Sequence, residues 1–529
     1  MKSYMFKNWP LIISSIIFGV LILFLLIQSI NQNQGHLIYA LDDAYIHMAI
    51  AKNFAQHGIW GITKYEFTST SSSLFWTLLI SFSYFIFGSN ELIPFILNII
   101  FALGTFSIIY LILRRFKIPQ FYIFIVLLSI MFLTPFPALV FTGMEHILHI
   151  FLMILFIYLS ASMLKSDRNS IFKYLLMLSF LLMITRHESF FLICIVSFLF
   201  ILKKKYLNSI LLIVVSFIPL VIYGLISTSK GWLFFPNSLV LKSILTGNEP
   251  LLSKIYIFNI FNHFINQLFS EILILISLSS LFLIINLINK KFKDLCTIML
   301  AIFISIALSH LLFANTGWFY RYEAYLLSIG IFINSIVLYQ FLRKYRINFN
   351  INKTLRYLLI ILVFGLIIIP LAPKGCYSFS ETSLATHNIY EQQYQIGLFI
   401  HEFYSNESIV LNDIGAVNYL ADIKCIDIYG LGNKNVIKAL KNGSYNAEMV
   451  SRLTEKNNVK LIVIYENWFE NLPSRWIKVC DWKIKNNIVC GDDTVSFYVK
   501  DTGEKDNLIE NLRNFSSKLP RDIEMKIYN

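Results

Sequence analysis

Residues 141–168, FTGMEHILHIFLMILFIYLSASMLKSDR, hold the plan of the chain in one stretch. Glu145 and His146 stand at the start, a mostly apolar run follows from Ile147 to Leu164, and Lys165 and Arg168 close it. A run of this length matches a hydrocarbon core, and cations at one end mark the cytoplasmic side of a membrane helix.

The unit recurs along the chain. Basic clusters stand at Lys2 and Lys7, at Arg114, Arg115 and Lys117, at Lys165, Arg168 and Lys173, and at Lys203–Lys205. Others follow at Lys290, Lys291 and Lys293, and at Arg343, Lys344, Arg346, Lys353 and Arg356. With every cluster cytoplasmic, spans fall near 11–30, 92–113, 120–135, 146–164, 171–186, 189–203, 208–227, 271–289, 295–314, 323–342 and 356–373. The expected fold is therefore a polytopic α-helical bundle of about eleven spans, with its N-terminus inside and its C-terminus outside. Composition agrees: of 529 residues, 57% are hydrophobic and 14% charged, with mean hydropathy +0.65. That balance excludes a soluble globular protein. The net charge of +13 does not argue for nucleic acid, because the cations punctuate apolar runs instead of forming one surface.

The first run, Leu11 to Ile30, is too long for a signal core and lacks a small-residue cleavage site, so it is read as a retained helix. Leu74 to Phe87 is short, and counting it as a span would move Arg114 and Arg115 outside. It is predicted to lie at, or dip into, the outer face.

The polar segments that packing does not require share the outer side. They are Asp42 with Asp43, Thr142–His146, Arg186–Glu188, Phe235–Lys242, Trp318–Glu323 and the tail from Pro373. The first reads LDDAYIHMAIAKNFAQHGIWGIT from Leu41, with Ile46, Ile50 and Phe54 at helical spacing, which predicts an amphipathic surface helix. Asp42 and Asp43 open it. One carboxylate suffices as a cap; the second is available as a general base or as a ligand for a divalent metal. Glu145 opens a span, where a first-turn acid suits the helix dipole. Arg186, His187 and Glu188 fill a tight link between spans, where charges pair with one another or mark a polar pathway. Lys242 and Arg321 are cations on the outer side, suited to an anionic ligand or to snorkelling. The aromatic group Trp318, Phe319, Tyr320, Tyr322 and Tyr325 reads as an interfacial belt before a sugar platform. No nucleophile elbow, phosphate-binding loop, zinc-protease motif or dinucleotide fingerprint occurs.

From about residue 374 the composition becomes that of a soluble domain, giving a division into 1–373 and 374–529. SIVL from Ser408, IKCIDIYG from Ile423 and VKLIVIYENW from Val459 read as strands, and Asn412–Gly415 as a turn before a helix. WIKVCDWK and IVCGDDTVSFYVK read as a hairpin, so the tail is an α/β domain with a polar end that frays. Cys376, Cys425, Cys480 and Cys490 lie in this outer segment, and a disulfide is expected between Cys480 and Cys490, with Cys376–Cys425 as a second.

In serial order, DDAYIHMAIAKNFAQHG, TSTSSSLFWTLLISF, FTGMEHILHIFLMILFIYL, TRHESFFL, FFPNSLVLK and SIVLNDIGAVNYLADIKCIDIYGLGN resemble the blocks of bacterial GT-C glycosyltransferases. The nearest likeness is to terminal arabinofuranosyltransferase-like members, and a more distant one is to protein O-mannosyltransferases and aminoarabinose transferases. TRHES and FTSTSSS depart from the usual proline-containing turns, leaving the sugar open. The resemblance implies a polyprenyl-phosphate sugar donor entering from the bacterial inner membrane, and a glycan, lipid or protein acceptor entering from the periplasmic side. By position it makes Asp42 the general base of an inverting transfer, with Asp43 fixing the helix start or the acceptor. Lys242, Arg321 and Arg186 would hold the donor phosphate, with Asn237, Glu145, His187 and Glu188 around the sugar. A transporter or flippase of a lipid-linked saccharide, and a non-catalytic envelope-assembly subunit, are the competing readings; oligomeric state stays open.

The topology is checked by fusion after Asn529: a reporter active only in the periplasm is expected to be active and a cytoplasm-only reporter silent. The reverse result would move the Asp pair inside.

Overall fold

The computed structural model describes residues 2–166, 169–245, 271–314, 316–317, 319–348 and 353–528. Each of the eleven expected spans falls on a helix. In chain order the helices are α1 (Lys2–Gln32), α2 (Asp42–His57), α3 (Leu74–Phe87), α4 (Leu92–Arg115), α5 (Gln120–Leu133), the short α6 (Phe136–Phe141) and α7 (His146–Ser166). Then come α8 (Phe172–Thr185), α9 (Ser189–Leu202), α10 (Tyr206–Ser229), α11 (Asn237–Leu245), α12 (Ile272–Ile288), α13 (Leu295–Phe313), α14 (Ala324–Asn348) and α15 (Lys353–Ile389). Six of the described helices are long and apolar enough to cross a membrane, and α3, α5, α8, α9 and α12 are shorter apolar helices. Phe82, Phe85 and Phe87 of α3 and Leu207, Ile210 and Val214 of α10 are exposed, an apolar surface suited to lipid.

The basic clusters meet at one end of the bundle. Arg114 reaches Asn8 Oδ1 at 3.3 Å, Arg115 reaches the Tyr158 hydroxyl, Lys165 pairs with Asp294 at 3.2 Å, and Lys344 reaches Asn289. Inside the bundle, polar side chains pair with one another, as hydrocarbon surroundings require. Asn334 bonds Ser279 at 2.8 Å, His149 bonds Ser189 at 2.9 Å and His310 bonds Tyr325 at 3.0 Å.

α15 does not stop where the composition changes. It runs through residue 373 to Ile389, passes into a π-helical turn at Tyr390–Tyr394 and continues as α16 (Gln395–Phe403), one rod about 75 Å long. The compositional boundary at 373/374 thus falls inside a helix. Beyond the rod come β1 (Ser408–Leu411), α17 (Ala416–Leu420), β2 (Lys424–Asp427), α18 (Lys434–Lys441), α19 (Ala447–Lys456), β3 (Leu461–Ile464), β4 (Ile477–Lys483), β5 (Thr494–Val499), α20 (Thr502–Ser516) and β6 (Glu524–Ile527). The sheet order is β2-β1-β3-β5-β4-β6, parallel through β2, β1 and β3 and antiparallel through β3, β5, β4 and β6. β1 and β3 are buried throughout, as parallel strands covered on both faces are. Ile409, Leu411 and Phe497 pack toward α16 and α20, and Val410, Ile462 and Tyr498 toward α18 and α19.

Two expectations about the tail are corrected. Its polar end is ordered: α20 packs Leu508, Leu512 and Phe515 into the core, and β6 pairs with β4. The Cys480–Cys490 disulfide is absent, and both residues are buried free thiols, as Cys376 and Cys425 are also free. Hairpin register explains it. Cys480 sits opposite Phe497 in the β4–β5 ladder, whereas Cys490 belongs to the connecting loop and turns its sulfur to Gln393 Oε1 at 3.4 Å.

α2 joins the two halves. Ala44, Tyr45, Met48 and Ala49 belong to the core of the bundle, and Ile46 and Ile50 belong to the core of the C-terminal domain, called the outer domain after the side on which the sequence expects it. The helix ends on Gly58 at φ 69°, whose amide returns to Asn53 and Phe54 carbonyls in a left-handed cap. Sequence predicted an amphipathic surface helix; its second apolar face is covered by the outer domain instead of lying on lipid.

Alkylation under denaturing conditions of protein purified without reductant is expected to label all six cysteines, with an intact mass unchanged by prior reduction. An added label only after reduction would restore a disulfide.

Candidate functional site

The start of α2 carries the two adjacent carboxylates, and the structure sends them in different directions. The helix N-cap is Leu41, without a side-chain cap bond, so neither Asp caps its own helix. Asp42 accepts hydrogen bonds from the amides of Gly415 and Ala416 at 2.7 and 2.8 Å, at the first turn of α17 in the outer domain. Bonds to a charged acceptor contribute about 1.5–3 kcal/mol each. Burial and the nearby Asp413 raise its pKa well above the ordinary carboxylate value, while the two amides oppose them. Asp43 is 44% exposed at its side chain and pairs with Arg321 Nη2 at 2.7 Å.

Two cavities meet at this wall. The first, about 200 Å³, is lined by Asp43, His47, Ser72, Arg186, His187, Glu188, Arg321 and Tyr322, with Ser238, Leu239 and Leu241 of α11. Arg186 bonds Glu145 Oε1 and Glu188 Oε1, each at 2.8 Å. The Tyr322 ring lies within cation–π distance of both Arg186, at 5.8 Å, and Arg321, at 5.0 Å. Arg321 also reaches Met144 Sδ at 2.7 Å, but its Nε is buried without a hydrogen-bond partner. His47 bonds Thr77 at 2.7 Å and stands 3.8 Å from Glu145, and burial lowers its pKa. It is therefore a neutral imidazole held in one orientation.

The second cavity, about 180 Å³, lies across Asp43 and Arg321 and is walled by the outer domain: Gln393, Asn412, Asp413, Tyr429, Trp468, Cys490 and Gly491, with Asp42. The π-helical turn brings Gln393 to it, a setting in which such turns are common. Asp413 accepts from Gln393 and the Tyr465 hydroxyl at 2.8 and 2.9 Å, and burial raises its pKa.

A third space, about 760 Å³, is largely apolar: Phe54, Trp60, Phe67, Leu74, Phe180, Ile184, Pro219, Ile222 and Tyr223 line it, with Glu66 and Lys230. Leu74 and Ile184 are two residues along the chain from Ser72 and Arg186 of the first cavity, so the two spaces lie near each other.

Of the residues singled out from sequence, Asp43, Arg186, His187, Glu188 and Arg321 line one cavity and Glu145 braces it. Asp42 lines the second. Asn237 is buried and donates to the carbonyls of Gly430 and Leu431 at 3.3 and 3.0 Å, tying α11 to the outer domain. The side chain of Lys242, and Trp318, lie outside the described residues. Cys490 lines the second cavity and Cys480 does not. Asp42 and Asp43 engage separate partners; among the described residues, a group of three with metal-ligand spacing occurs at His387, Glu391 and Asp522. His47, Gln393, Asn412, Tyr429, Tyr465 and Trp468 were not singled out by sequence. An imidazole in an apolar helix and polar residues on distant strands carry no local signal of convergence.

Residues 387–498 match a family model described as "Domain of unknown function (DUF8728)", a window that contains every outer-domain residue named in the second cavity. No curated protein matches the sequence. The fold is similar to that of ArnT from Cupriavidus metallidurans, solved bound to undecaprenyl phosphate, with TM-score 0.52 and 10% identity over 94% of this chain and 99% of that one. The likeness is one of fold.

Gly415→Ala tests the clasp. A Cβ there would stand 2.1 Å from the Asp42 carbonyl oxygen and 2.6 Å from its Oδ2. The variant is expected to lose about 1–3 kcal/mol, read as a lower thermal midpoint and faster proteolysis of the outer domain.

Proposed function

We propose that the chain is a membrane glycosyltransferase that moves a sugar from a polyprenyl-phosphate carrier to an acceptor on the outer face of the cytoplasmic membrane. The observation that carries the reading is the neighbouring pair of spaces: a largely apolar groove of about 760 Å³ near a cavity holding Arg186 and Arg321. A prenyl chain fits the first and a phosphate the second. The fold shared with ArnT, solved with undecaprenyl phosphate, supports the same carrier class. The gathering of basic clusters at the opposite end supports a periplasmic site under the positive-inside rule, with eleven spans. The order of the sequence blocks favours arabinofuranosyltransferase-like members within this class.

The two arginines divide the work. Arg186 is matched by two carboxylates and is a fixed positive wall. Arg321 has one carboxylate partner and a spare buried donor, so it is the group that meets the phosphate and stabilises its charge as the glycosidic bond breaks. Phosphate binding then competes with Asp43 for Arg321.

Inverting transfer needs one base to take the acceptor hydroxyl proton as that oxygen attacks the anomeric carbon. The resemblance pointed to Asp42. Both its oxygens are engaged by the outer domain, whereas Asp43 faces both cavities and is partly open. We therefore assign the base to Asp43 and the clasp to Asp42.

Purified protein in lipid nanodiscs is incubated with polyprenyl-phosphate donors carrying radiolabelled pentoses or hexoses and a membrane extract as acceptor. Transfer of label is expected with one donor class; saccharide movement across a vesicle without transfer would favour transport instead. Asp43→Asn is expected to lower the rate by at least about 100-fold with donor binding kept. Asp42→Asn is expected to weaken docking of the outer domain by about 1–3 kcal/mol, seen as a lower thermal midpoint. Near wild-type transfer by the Asp43 variant, with loss in a well-folded Asp42 variant, would return the base to Asp42.

A further inference from the structure

The second cavity holds polar groups that folding leaves unused. Asn412 is 6% exposed. Its Oδ1 accepts from the Tyr465 amide at 2.9 Å, but its Nδ2 has no hydrogen-bond partner. An unmatched buried donor is costly, and native interiors rarely keep one without a use. Beside it, Asp413 takes both of its side-chain bonds on Oδ2, leaving Oδ1 for a donor from the cavity. Arg321 Nε is the second buried donor without a partner, on the wall shared with the phosphate cavity.

Aromatic rings close the far side. Trp468 lies with its ring centroid 5.0 Å from both Tyr429 and Tyr465. It is still 38% exposed. The loop beneath is built for it: a Cβ on residue 491 would stand 2.2 Å from the Trp468 ring, so only glycine lets the indole lie there. An aromatic wall with a few convergent polar groups is the usual make-up of a small-molecule site. At about 180 Å³ the space is below the drug-sized range, with room for one ring and an opening for the rest of a chain.

We infer that the outer domain is the acceptor-binding half of the enzyme, and that the acceptor is a carbohydrate whose terminal ring lies against Trp468 and Tyr429 with its hydroxyls shared between Asn412 Nδ2 and Asp413 Oδ1. A donor amide beside an acceptor carboxylate matches a hydroxyl, which both gives and takes a hydrogen bond. A lipid tail or an apolar peptide side chain would leave both groups unmatched. The seat opens on Asp43, so an acceptor hydroxyl reaches the base and the phosphate cavity from one side while the donor enters from the other. This inference rests on the glycosyltransferase reading for the word acceptor; the carbohydrate seat itself does not depend on it.

The test is saturation-transfer NMR on the full-length protein in nanodiscs, with a panel of neutral pentose and hexose methyl glycosides and disaccharides at millimolar concentration, without donor. At least one saccharide is expected to receive saturation. That signal is expected to fall at least fivefold in Trp468→Ala and in Asn412→Ala, to return in Trp468→Phe, and to persist in Lys456→Gln, an exposed position on α19 outside both cavities. Thermal midpoints of all variants identify any that fails to fold, and Asn412→Asp, which keeps Oδ1 but removes the donor, stands in for an unstable Asn412→Ala. No saturation of any panel member by the wild type, or equal signals in wild type, Trp468→Ala and the Asn412 variants, would overturn the seat. Saccharide binding without sugar transfer from any lipid-phosphate donor would leave the seat standing and remove the glycosyltransferase reading.

Discussion

The grip of Asp42 on the first turn of α17 holds the site together. The carboxylate belongs to the loop after the first membrane helix, and the amides belong to the tail, 373 and 374 residues later. Each cavity needs that closure. Asp43 and Arg321 stand on the bundle side, Asp413 and Trp468 on the domain side, and neither chamber has a full wall until α2 is pressed between them. Gly415 marks how tight the contact is, since no side chain fits where its backbone passes the Asp42 oxygens.

Charge is distributed with equal economy. Burying a guanidinium is costly unless carboxylates and hydrogen bonds surround it. Arg186 has Glu145 and Glu188, and the Tyr322 ring lies within cation–π distance of both Arg186 and Arg321. The fully matched arginine stays in place, and the partly matched one has capacity left for a ligand. Two spare donors, Arg321 Nε and Asn412 Nδ2, on residues that line one cavity fit a site whose occupant is a ligand and not the protein itself.

Much of this was legible in the sequence. Apolar runs closed by cations fell on helices at each expected position, six of them among the described residues long and apolar enough to cross a membrane, because in hydrocarbon the chain has few other ways to satisfy its backbone. Arg186, Glu188 and Arg321 stood out because they were charges where charge is costly. What sequence could not reach was partnership. Asp42 and Asp43 look alike as neighbours in a string, yet one serves the tail and the other the cavity. Gln393 depends on a π-turn within a helix, and Asn412 reads as ordinary turn chemistry until β3 is laid beside it. The disulfide expectation erred in the same way, since it took nearness along a hairpin for facing positions in its ladder.

The double role of α2 bears on how the protein is made. A ribosome adding about 5–20 residues per second needs roughly 20–75 seconds to go from Asp42 to Gly415. Throughout that interval Ile46 and Ile50 have no core to enter and the carboxylate has no amides to hold. The nascent loop has one apolar surface close at hand, the membrane it has just crossed. The amphipathic surface placement that the sequence alone suggested is open to the helix in that interval, and the tail supplies the apolar cover for Ile46 and Ile50. Both cavities therefore gain their last walls only once the tail has been made.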